Sequence, residues 1–177
     1  MIGRIAKYET EVQIKAGDAI MRINKDIRFS KDKTPYNTHV AANISKVGKK
    51  DKSYPGFYFQ LSNTGINIYG GAYMVENPTL QRIREHISGN LKKFSAAYSD
   101  ESFTEKFKAI QGEQTKRLPA EFQEVAAKEP LIANKQLYYT AEIKPDIITK
   151  GDLPDQLMEF YFAGKKLNDF LNAAFDK

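Results

Sequence analysis

Residues 57–74 read Phe-Tyr-Phe-Gln-Leu-Ser-Asn-Thr-Gly-Ile-Asn-Ile-Tyr-Gly-Gly-Ala-Tyr-Met. Phe57, Phe59 and Leu61 alternate with Tyr58, Gln60 and Ser62, the period-two pattern of a strand with one buried face. Asn63-Thr64-Gly65 supplies a short loop ending on glycine, as in a three-residue hairpin, and Ile66 to Met74 returns as the partner strand. Gly70 and Gly71 interrupt that return. Adjacent glycines in a strand mark a bulge or a place where another group approaches the backbone closely, and the bulge is the favoured expectation.

Towards the N-terminus, His39 to Val47 reads as another strand, ended by Gly48 and the run Lys49-Lys50-Asp51-Lys52. Ala19 to Ile23 reads as a short strand. Residues 2–16 carry a weak helical stripe (Ile2, Ile5, Ala6) that Gly17-Asp18 is expected to end.

Towards the C-terminus, Asn77-Pro78 is a helix start. Leu80, Ile83, Ile87, Leu91 and Phe94 recur at helical spacing to about Tyr98, with Arg84 flanking the buried line. Ser99-Asp100 opens a second helix through Phe103, Phe107 and Ile110, closed by Gly112. Lys116 to Pro119 is a basic turn, and Val125 to Lys128 a helical turn. Gln136 to Ile143 is a late strand with Leu137, Tyr139, Ala141 and Ile143 on one face. Asp152 to Phe175 has the spacing of a long amphipathic helix, although Gly164 within it weighs against an unbroken one. Strands in the first half, helices in the second and one strand that must rejoin the sheet predict an α+β fold. Its sheet is largely antiparallel, helices pack on one face, and a long helix closes the chain. We expect residues 1–177 to be a single domain, as their length allows.

The 177 residues contain no cysteine, which removes disulfides, thiolate chemistry and zinc ribbons together and is compatible with the reducing cytoplasm expected here. The N-terminus is charged too early for a secretion signal, and no apolar run suits a membrane span. His39 and His86 are the only histidines and stand apart, so no metal and no histidine-based nucleophile is expected, a carboxylate-only magnesium site being the one metal alternative left open. No phosphate-cradling glycine loop occurs, and no cofactor is expected. The net charge is +5, and residues 1–56 hold 12 Lys+Arg against 6 Asp+Glu. That local surplus favours an anionic partner.

The surplus lies around Arg22-Ile-Asn-Lys-Asp-Ile-Arg-Phe-Ser-Lys-Asp-Lys-Thr-Pro-Tyr36 and Lys49-Lys50-Asp51-Lys52. Arginine offers a planar fork for carboxylate or phosphate and lysine a point charge. Arg22, Arg28, Lys33, Arg84, Lys116 and Arg117 are therefore candidates to converge on an anion, with Asp26 and Asp32 orienting them or serving as acid and base. Arg22, Asn24, Asp26 and Arg28 share one face if extended. The alternative is an Arg–Asp network that only holds a loop to the sheet. Interleaved tyrosines admit weak nucleic-acid binding, but no recognition signature supports it.

The same run resembles the signature of the domain-of-unknown-function family 2461, a group of bacterial conserved hypothetical proteins. Pro55-Gly-Phe-Tyr-Phe59 resembles the family's P-G-Y-Y strand, and Gly70-Gly-Ala-Tyr-Met74 its G-G-x-[WY] segment. Leu80-Gln-Arg-Ile-Arg84 resembles its L-x-x-I-R helix, and Gly112 to Pro119 its G-x-x-L-K-R-x-P turn. The resemblance covers roughly residues 19–140. The family usually begins with a longer helical region, so the expectation is either a trimmed start or an N-terminally shortened member. Pro119-Ala-Glu-Phe122 stands where the family has P-K-G-F, which removes a basic position and a glycine and weakens a phosphate-binding turn. The resemblance implies no activity. It implies positions that recur together: Arg22, Asp26, Arg28, Ser30, Lys33, Pro35 and Tyr36 in the first motif, then Gly70, Gly71, Arg84, Lys116 and Arg117.

The expectation is therefore a cytoplasmic domain whose cationic pocket, built from those residues, binds an anionic small molecule or partner. Neither a membrane nor nucleic acid is favoured. The alternative is a structural or interaction domain.

Overall fold

The computed structural model describes residues 1–28 and 31–175. Its strands are β1 (His39–Ile44), β2 (Phe57–Ser62), β3 (Gly65–Ala72) and β4 (Leu137–Ile143), paired antiparallel in the order β1-β2-β3-β4. The α-helices among the described residues are α1 (Ile2–Ile5), α2 (Ala16–Ala19), α3 (Asn77–Gly89), α4 (Leu91–Tyr98), α5 (Glu101–Phe107), α6 (Gln123–Ala126) and α7 (Leu153–Phe175). The fold is α+β, with an antiparallel sheet, helices on one face and a long final helix.

Alternation sets which face meets the helices. Phe57 of β2, Ile66 and Ile68 of β3, and Leu137 and Tyr139 of β4 point into the core and are almost fully buried. Burying a side chain of this size contributes roughly 1.5–3 kcal/mol. α7 packs on β3, α5 on β4, and α3 and α4 on α7.

The structure corrects several local expectations. Ser62 pairs directly with Gly65, so the hairpin loop is the two residues Asn63-Thr64. Gly65 begins β3 because a Cβ there would lie 2.5 Å from the Ile143 carbonyl oxygen. Residues 2–16 are helical only at Ile2–Ile5, and Gly17 and Asp18 lie inside α2 instead of ending a helix. So short a stripe cannot offset helix nucleation, and Ile5 and Val12 are buried separately. Ala19 to Ile23 is not a full strand, touching the sheet through one bridge, Ile20 to Ala42. The expected helix from Asn77 to Tyr98 is two helices, broken at Asn90 (φ −140°). α5 stops at Phe107, where Lys108 takes φ +66°. α7, by contrast, runs 23 residues unbroken through Gly164.

Gly164 has its explanation in β4. A Cβ on it would lie 2.1 Å from the Tyr139 hydroxyl oxygen, and one on Gly70 would lie 2.2 Å from the same atom. The Tyr139 ring fills the space between β3 and α7, with Phe107 at 4.4 Å and Phe103 at 5.2 Å between centroids. Two glycines on two elements thus accommodate one buried tyrosine.

Candidate functional site

The sheet face turned away from the helices carries the opposite phase of each strand: Asn43 on β1, Tyr58 and Gln60 on β2, Tyr69 and Gly71 on β3, and Tyr138 on β4. Register brings these together. Tyr58 pairs with Tyr69, and their rings meet edge to face with centroids 5.6 Å apart. Tyr138 pairs with Gly71, and its ring meets that of Tyr73 edge to face at 5.3 Å. Gly71, between Tyr69 and Tyr73, leaves a notch of bare backbone between the two tyrosine pairs; a Cβ on it would run into the β4 backbone, 2.2 Å from the Leu137 carbonyl oxygen.

The notch is part of a cleft of about 420 Å³. Gly56, Gly70 and Gly71 contribute bare backbone to it. Tyr73 and Met74 form a wall on the β4 side; Met21, Asn43, Lys52 and Tyr54 line the β1 side. Met74 has φ +54°, a conformation that side-chain-bearing residues seldom adopt and that tends to occur at functional sites. Tyr54 is largely packed, edge to face against Phe175 at 5.4 Å.

The cleft has an unusual support. The β2–β3 ladder ends at Tyr58 and Tyr69, leaving Gly56 and Gly71 without partners across that gap. Asn168 of α7 fills it from the helix side. Its Oδ1 accepts from the Gly71 N–H at 2.9 Å, and its Nδ2 donates to the Gly56 carbonyl at 3.1 Å. One side-chain amide replaces the missing backbone bonds and meets the demand that buried polar groups be paired.

Burial, reinforced by Tyr69, raises the Tyr58 phenol above its ordinary pKa of 10.0, so it stays protonated at neutral pH. Its hydroxyl donates to Gln60 Oε1 at 3.3 Å. The lining holds Lys52 but no carboxylate and no histidine. Tyrosine hydroxyls, a lysine and two amides suit binding through hydrogen bonds and one positive charge. They do not include the carboxylate or imidazole that general acid–base work most often uses. No group of three or more histidine, aspartate or glutamate side chains among the described residues is placed to hold a metal.

The residues nominated from sequence are distributed differently. Gly70 and Gly71 line the cleft. Residues 22–28 and 31–36 form an arm beyond β1, closed by an Asn24–Tyr36 bridge and the Lys25 N–H to Pro35 carbonyl bond. Its charges largely meet one another. Arg28 grips Asp26 with two guanidinium bonds, 2.7 and 2.9 Å, and that contact, helped by the Arg28 amide, lowers the Asp26 pKa. Lys25 pairs with Asp32, and that contact together with the Thr34 amide and hydroxyl holds the Asp32 carboxyl far below the usual range. Lys33 donates to the Ile27 carbonyl at 2.9 Å. Arg22 is exposed, and Tyr36 borders a second, more open depression with Ile23, Val40 and Leu61. Ser30 lies outside the described residues.

Arg84 is 7% exposed. Its guanidinium donates to the Ile132 carbonyl at 3.0 Å and the Asn134 carbonyl at 3.4 Å, and burial lowers its pKa. Lys116 and Arg117 sit in an exposed turn flanked by the Gln114–Asn134 bridge, beyond β4. The arm and this turn therefore lie past opposite edges of the sheet.

The family model for conserved hypothetical proteins, DUF2461, matches residues 1–170. The chain belongs to that family. No curated protein matches it, and no solved structure does. The DUF2461 match extends past residues 19–140, over which the motifs were legible, in both directions. Those motifs serve different parts of the molecule: the first builds the arm, the double glycine the cleft floor, and Leu80 to Arg84 the clamp on residues 132–134.

Tyr58, Tyr69, Tyr73, Tyr138, Lys52 and Asn168 were not singled out from sequence as site residues. The available signal was tyrosine in the solvent phase of three strands and an asparagine within the buried stripe of the last helix. Both become informative only once register is known.

Proposed function

We propose that the chain binds an anionic small molecule in the cleft over Gly70 and Gly71. The observation that carries this is a bare-backbone floor set between two tyrosine pairs, with Lys52 at the β1 end. A volume of about 420 Å³ falls in the range of small-ligand sites. Tyr73 and Met74 are 48% and 65% exposed, an apolar surface that a ligand would cover. Lys52 takes the role first given to the arginines, of which Arg28 and Arg84 are engaged elsewhere. The proposed setting is the cytoplasm, in keeping with the absence of cysteine. No helix among the described residues is long and apolar enough to cross a membrane.

The second reading, a structural role for the Arg–Asp network, is favoured for the arm itself by the Asp26–Arg28 and Lys25–Asp32 pairs. The two readings concern different residues and are compatible. Thermal unfolding with millimolar inorganic phosphate, aryl phosphates and aromatic carboxylates tests the first. A ligand that binds only the folded state must raise the midpoint. Stabilisation that Lys52→Ala diminishes is expected; no stabilisation by any of these anions, or one that Lys52→Ala leaves unchanged, overturns the reading.

A further inference from the structure

We infer that the ligand of this cleft carries a flat aromatic ring, seated against Gly71 between the Tyr58–Tyr69 and Tyr73–Tyr138 pairs, with its anionic group directed to Lys52. The inference rests on the anion-binding reading and adds the class of molecule.

Three features separate a ring from other bodies. The first is the floor. Gly71 offers no side chain, and its N–H is already taken by Asn168. A group lying there meets flat backbone with no donor to satisfy, which suits a π-face better than a hydroxylated one. Gly71 is not free to change: its φ is +85°, and a Cβ would lie 2.2 Å from the Leu137 carbonyl oxygen. The notch is therefore fixed by the β3–β4 pairing and not by loop conformation.

The second is the walls. Each tyrosine pair is edge to face, at 69° and 81° between ring planes. A third ring entering between the pairs meets aromatic edges and faces at the separations of about 4.5–7 Å that such contacts favour. Met21 and Met74 complete the lining at opposite ends, and thioether sulfur also packs well against rings.

The third is polarity. The polar groups sit towards β1 and β2, in Lys52, Asn43 and Gln60, while the β3–β4 side holds Tyr73, Met74 and Tyr138. A sugar would need hydrogen-bonding groups around its whole rim, and the β3–β4 side offers only phenol hydroxyls. The cleft is thus polarised along the sheet, with Lys52 and both amides at one end and only rings and a thioether at the other.

Isothermal titration with four probes tests this: phenyl phosphate, cyclohexyl phosphate, glucose 6-phosphate and neutral benzyl alcohol. Phenyl phosphate is expected to bind about 5-fold or more tighter than cyclohexyl phosphate, in line with the added strength of ring–ring contacts, and tighter than glucose 6-phosphate. Tyr138→Leu is expected to bring the phenyl-to-cyclohexyl ratio close to one while leaving phosphate dependence on Lys52 intact. Tyr73→Leu, at an exposed position, does the same if Tyr138→Leu fails to fold. Equal binding of phenyl and cyclohexyl phosphate, or preference for the sugar phosphate, overturns the aromatic class and leaves the anion site standing. Benzyl alcohol binding as tightly as phenyl phosphate would overturn the anion site but not the ring. No binding by any probe overturns both.

Discussion

The hydroxyl of Tyr139 on β4 occupies the space that a Cβ on Gly164 of α7 would need, 2.1 Å away. Gly164→Ala should therefore destabilise, although alanine is the better helix former by about 1 kcal/mol. Tyr139 is buried and flanked by Phe103 and Phe107, so it cannot swing aside, and overpacking of this kind costs roughly 1–3 kcal/mol. A lowered urea midpoint is expected. Tyr139→Phe in the Gly164→Ala background should recover only part of the loss, because the ring carbon Cζ would still lie 2.6 Å from the new methyl. Gly89→Ala is the control: nothing lies within 4 Å of its Cβ position, and it should be neutral or mildly stabilising.

Asn168→Ala leaves the Gly71 N–H and the Gly56 carbonyl unmet behind the cleft. Each buried group left unpaired costs about 1–3 kcal/mol, so this variant should lose more stability than Asn172→Ala one turn on. Hydrogen exchange at the Gly71 amide gives a local readout and should accelerate strongly. An unchanged exchange rate there would contradict the bridging role.

Arg84 spans two carbonyls with one planar group. Lysine has a single point of donation and cannot reproduce the fork. Arg84→Lys should lower the urea-derived stability by roughly 1–3 kcal/mol through unmet carbonyls. It should leave the proposed anion response unchanged, because the two carbonyls that Arg84 holds, of Ile132 and Asn134, lie outside the cleft lining. A selective loss of ligand response would return Arg84 to the binding site.

Asp100 links two helices, capping α5 through the Ser102 amide and pairing with Lys166 of α7. The Lys166 contact and the Ser102 hydroxyl lower its pKa from 3.8 to about 2. Because the folded-state value is the lower one, the stabilisation is fully present above about pH 4 and is lost as the pH falls towards 2. Asp100→Asn should be less stable than the natural chain at pH 6, with the difference shrinking below pH 4. Urea titrations at pH 6, 4 and 2.5 check this, and a difference independent of pH would refute it.

Local patterning made much of the fold legible. The alternation in residues 57–62 and 137–143 identified β2, β4 and their buried faces, and the leucine and phenylalanine spacing identified α7. The break at Asn90 was hidden because Ile87, Leu91 and Phe94 keep helical spacing across it. Gly164 looked like a weakness because helix propensity is local, whereas its partner, Tyr139, lies on a strand 25 residues earlier. The charged run from Arg22 to Tyr36 was legible as a cluster, and pairing within it was one of the two readings it allowed. The cleft was not legible. Tyr58, Tyr69 and Tyr138 are neighbours only through strand register, and sequence spacing carries no trace of that.

β4 joins β3 only after residues 73–136 have been made, and Asn168 comes later still. The pairing that seats Tyr138 beside Gly71 therefore closes a long loop, the kind of contact that forms slowly. During synthesis the hairpin of β2 and β3 emerges with the Tyr58–Tyr69 pair but without Tyr138 and without the Asn168 support behind Gly71. The cleft is thus complete only once the last helix has docked, so protection of the Gly71 amide would report on whether α7 is in place.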